Sequence, residues 1–88
     1  MADEANPPEF FEVVDKFLLV ANDLSDEWPS ARLSSAIMYA AAQYSAFHFR
    51  NFPAELRFTE DEAVLYYCEQ FSAMFRENLR RLEQMPEE

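Results

Sequence analysis

Eighty-eight residues leave room for one compact domain, and a composition that is 50% hydrophobic, with nine Phe, four Tyr and one Trp, is too apolar for disorder despite a net charge of −10. The absence of glycine excludes Gly-rich phosphate loops, dinucleotide fingerprints and hairpin turns that need positive φ, while 17 acids against seven bases, with no Lys/Arg cluster, argue against nucleic acid as a partner. A lone cysteine makes no intramolecular disulfide, and the acidic start Met1-Ala2-Asp3-Glu4 has neither the basic nor the apolar region of an export signal, so a cytoplasmic setting is expected.

The first predicted helix runs from Pro7 to about Leu24, with Asn6 as its N-cap, Pro7 at the first helical position and Glu9 at the third. Phe10, Val14, Phe17, Leu18, Ala21 and Leu24 recur at 3–4 spacing and form its apolar stripe; Glu9, Glu12, Lys16 and Asp23 lie opposite. Ser25 to Trp28 should be a connection, because Pro29 disfavours helical geometry at the residue before it.

The second helix is placed at about residues 30–50, with Asn51 and Pro53 as its stop. From Leu33 to Phe49 it carries no formal charge. A membrane span needs ~20 predominantly apolar residues, and Ser34, Ser35, Gln43, Ser45 and His48 interrupt this run, so no membrane association is expected. A central helix covered on more than one side explains the neutrality better. The third helix, about 60–84, opens on Thr59 with Glu62 three residues on, a capping box, and presents Val64, Cys68, Phe71, Phe75, Leu79 and Leu82 as its inner stripe. Between the last two helices, Phe52, Leu56 and Phe58 are expected to close the end of the core.

Charge divides along the same lines: −7 over residues 1–30, +2 over 31–58 and −5 over 59–88. With Leu33, Ile37, Ala40, Tyr44 and Phe47 turned inward, the far side of the second helix presents Ser35, Tyr39, Ala42, Gln43 and Ala46 between Arg32 and Arg50. Small side chains permit close helix approach and Tyr is typical of contact surfaces, so this is the candidate self-association face. The bland alternative is a fully covered or merely neutral helix.

Candidate chemistry is sparse. A di-metal carboxylate site in a helical bundle would use Glu-x-x-His, and none is present. His48 and Cys68, each the single residue of its type, would make a nucleophilic pair only in an electropositive pocket; Cys68, mid-stripe, reads instead as a buried small hydrophobe. No catalytic residue, cofactor or metal is therefore assigned.

The strings FFEVVDKFLLVAND (residues 10–23), SSAIMYAAAQYSAF (34–47) and DEAVLYYCEQFSAMFRENL (61–79) resemble the blocks of a family of short bacterial proteins termed domain of unknown function 3144. The resemblance covers about Phe10 to Leu82 and implies a bacterial, helical, cytoplasmic protein. It carries over no catalytic or binding residue.

The expected fold is all-α: one domain over 1–88, an antiparallel three-helix bundle with helices at about 7–24, 30–50 and 60–84, flexible termini at 1–6 and 85–88, and assembly into a helical homodimer. The expected role is a non-enzymatic protein-interaction or scaffold module. The alternatives are a small enzyme or metal-binding protein using Glu69, His48 or Cys68, and an acidic inhibitor or adaptor that docks on a basic protein by charge complementarity.

Overall fold

The computed structural model describes residues 7–85 and is all-helical over them, with no strand. Three helices, α1 (Pro8–Leu24), α2 (Ser30–Arg50) and α3 (Glu60–Glu83), follow in order, with one 3-10 turn, Ala54–Leu56, ahead of α3. The chain divides into two compact units, Met1–Arg50 and Asn51–Glu88.

In the first unit, α1 starts one residue later than the expected placing of Pro7 at the first helical position. Pro7 is the N-cap, with φ −73° and ψ 163°, and Pro8 takes the first helical position. The tandem prolines explain the shift: the ring of Pro8 holds the residue before it in extended geometry, while Pro8 itself has the φ that a first turn requires. Asn6, the expected cap, lies outside the described residues. The Phe10 amide donates to the Pro7 carbonyl at 2.9 Å, and the Glu9 carboxylate sits in the first turn, where the helix dipole favours it.

The helix ends without glycine. Ser25 stays in right-handed geometry as the C-cap, its amide donating to Ala21 and Asn22 carbonyls and its hydroxyl to the Asn22 carbonyl at 2.6 Å. The amides of Glu27 and Trp28 then donate to Leu24, so the freed carbonyls of the last turn are met by a tightened turn rather than by a left-handed residue. Among the described residues none has positive φ, as a glycine-free chain demands. Across the connection Trp28 and Arg32, four residues apart, stack with the guanidinium carbon 5.7 Å from the ring centroid.

In the second unit, the Ala54–Leu56 turn is closed by the Arg57 amide donating to Ala54. The capping box that starts α3 is complete in both directions. The Glu62 amide donates to Thr59 Oγ1 at 3.1 Å, and the Thr59 amide donates to Glu62 Oε1 at 3.0 Å. Glu60 and Asp61 add charge at the positive end, and Arg80 and Arg81 sit in the last turn at the negative one. Replacing Thr59 with Ala should destabilise the helix start by about 1 kcal/mol, read as a lower denaturation midpoint. An unchanged midpoint would mean that this cap contributes nothing to the folded protein.

Burial departs from the sequence-based expectation. Ala63 is the one buried residue among those whose burial is described; Val14, Ala21, Leu33, Ser45 and Phe49 are half-buried, and the other large apolar residues of the three stripes are exposed. No residue of α2 is buried, where the charge-free run predicted the most covered helix. Within the first unit, α1 and α2 are joined at their connection but do not pack along their lengths. The stripes follow from residue spacing; their cover depends on another surface arriving, which spacing does not supply.

Candidate functional site

The residues with chemistry to offer lie on α2 and α3. His48 is exposed in the last turn of α2 in the first unit. Cys68 and Glu69 lie on α3 in the second, both exposed. The exposure of Cys68 corrects the expectation of a buried thiol: it lies on the apolar stripe of α3, and Phe71 and Phe75 of that stripe are exposed with it. Among the described residues, no group of three or more His, Cys, Asp or Glu side chains is placed to hold a metal ion. No helix of the described residues is long and apolar enough to cross a membrane.

The surface of α3 is built from aromatic pairs. Phe71 and Phe75, one turn apart, lie 6.0 Å between centroids and line an open hollow with Ser72, Arg76 and Leu79. Arg76 Nε donates to Ser72 Oγ at 3.4 Å along the edge of this hollow, and further along Asn78 Nδ2 donates to the Met74 carbonyl at 2.8 Å while Arg81 donates to Asn78 Oδ1. At the other end of the helix, Phe58 reaches from the connection to Tyr66 at 6.3 Å, and Tyr66 meets Tyr67 edge-on at 5.3 Å. Phe58 therefore packs on the start of α3. The side chain of Leu56, expected to act with it, lies outside the described ones.

The candidate self-association face is present as a surface. Ser35, Tyr39, Ala42, Gln43 and Ala46 are all exposed on α2, with Tyr39 75% accessible. On the other side of the same helix Ile37, Tyr44 and Phe47 are exposed too, and Met38 lies between the two faces. Apolar side chains thus emerge on several sides of α2, and no carboxylate occurs between Trp28 and Ala54. Residue spacing did not reveal the Trp28–Arg32 stack or the Phe58–Tyr66–Tyr67 series; the four-residue interval between Trp28 and Arg32 was the available signal for the first.

No curated protein and no solved structure matches the chain significantly. A family model does: "Protein of unknown function (DUF3144)" aligns with residues 10–82, from the first stripe residue of α1 to the last of α3. With that much of its length matched, the chain belongs to the DUF3144 family.

Proposed function

We propose that this protein is a non-enzymatic helical interaction module that works as a homodimer, with its three helices closing as an antiparallel bundle on one side of α2 and a second copy covering the other. The observation that carries this reading is the exposure of the large apolar side chains on all three helices, Phe17, Leu18, Ile37, Tyr39, Phe71 and Phe75 among them. Soluble proteins rarely leave so many large apolar side chains uncovered, and an exposed apolar patch marks an interface. His48, Cys68 and Glu69 are each exposed to solvent, a setting that favours a scaffold role over an enzyme.

The test is the mass in solution. Multi-angle light scattering at high protein concentration should give twice the 10.4 kDa chain mass, and a monomer at every concentration would overturn the reading. Salt separates it from docking on a basic partner. Two copies at −10 each repel, so added salt should tighten the dimer by screening; an acidic adaptor would instead lose its basic partner as salt rises.

A further inference from the structure

We draw no further inference here: the strongest candidate, the open apolar hollow on α3 lined by Phe71, Phe75 and Leu79 and edged by Ser72 and Arg76, is an unpartnered helix face, and nothing in the structure shows what covers it.

Discussion

Ala46→Glu should convert the dimer to monomer. In the proposed homodimer Ala46 lies on the face of α2 that the second copy covers, so each chain would bury one new, desolvated carboxylate there. Burial of an unpaired charge costs several kcal/mol, so the dissociation constant should rise at least ~100-fold, about 2.7 kcal/mol. The melting temperature should fall with it, because dimerisation stabilises the folded chain by mass action. On an exposed helix surface the same change costs only a few tenths of a kcal/mol. Light scattering and thermal denaturation read both effects; unchanged mass and melting would remove this face from the interface.

The thiol of Cys68 should report whether the stripe of α3 is covered in the assembled protein. In the single chain Cys68 is exposed, beside Val64 and Phe71 on the apolar face. If the helices close as proposed, a thiol reagent should label it slowly at concentrations where the protein is dimeric, and at least ~10-fold faster on dilution or in Ala46→Glu, as closure and dimerisation stabilise each other. Denaturation should bring full reactivity. Labelling at the free-thiol rate under all conditions would mean that the α3 stripe stays open in solution and that the bundle does not form.

These two experiments bear on separate contacts. Ala46 probes the far side of α2, and Cys68 probes the closure of α3. A dimer that depends on Ala46 while leaving Cys68 reactive would be one held by α2 with its outer stripes free for a further partner. Rapid labelling combined with insensitivity to Ala46→Glu would remove both halves of the reading.

Local chemistry was legible in the sequence. The Thr59–Glu62 capping box, the prolines ahead of α1 and α2, and the 3–4 spacing of Val64, Cys68, Phe71 and Phe75 locate three helices because each signal involves residues within a turn or two of one another. The one-residue shift at Pro7 was local as well, set by the ring of Pro8 on its neighbour. The family followed from the same blocks of residues, and so did the neutral face of α2, since the charges are written in the chain. Exposure was decided by tertiary structure alone. Whether Cys68 or Tyr39 meets water depends on surfaces far away in sequence, whose arrival costs ordering entropy and must be offset by apolar area gained. A stripe specifies that a helix has a side to cover; the covering surface is a property of the fold and, for α2, of a second molecule.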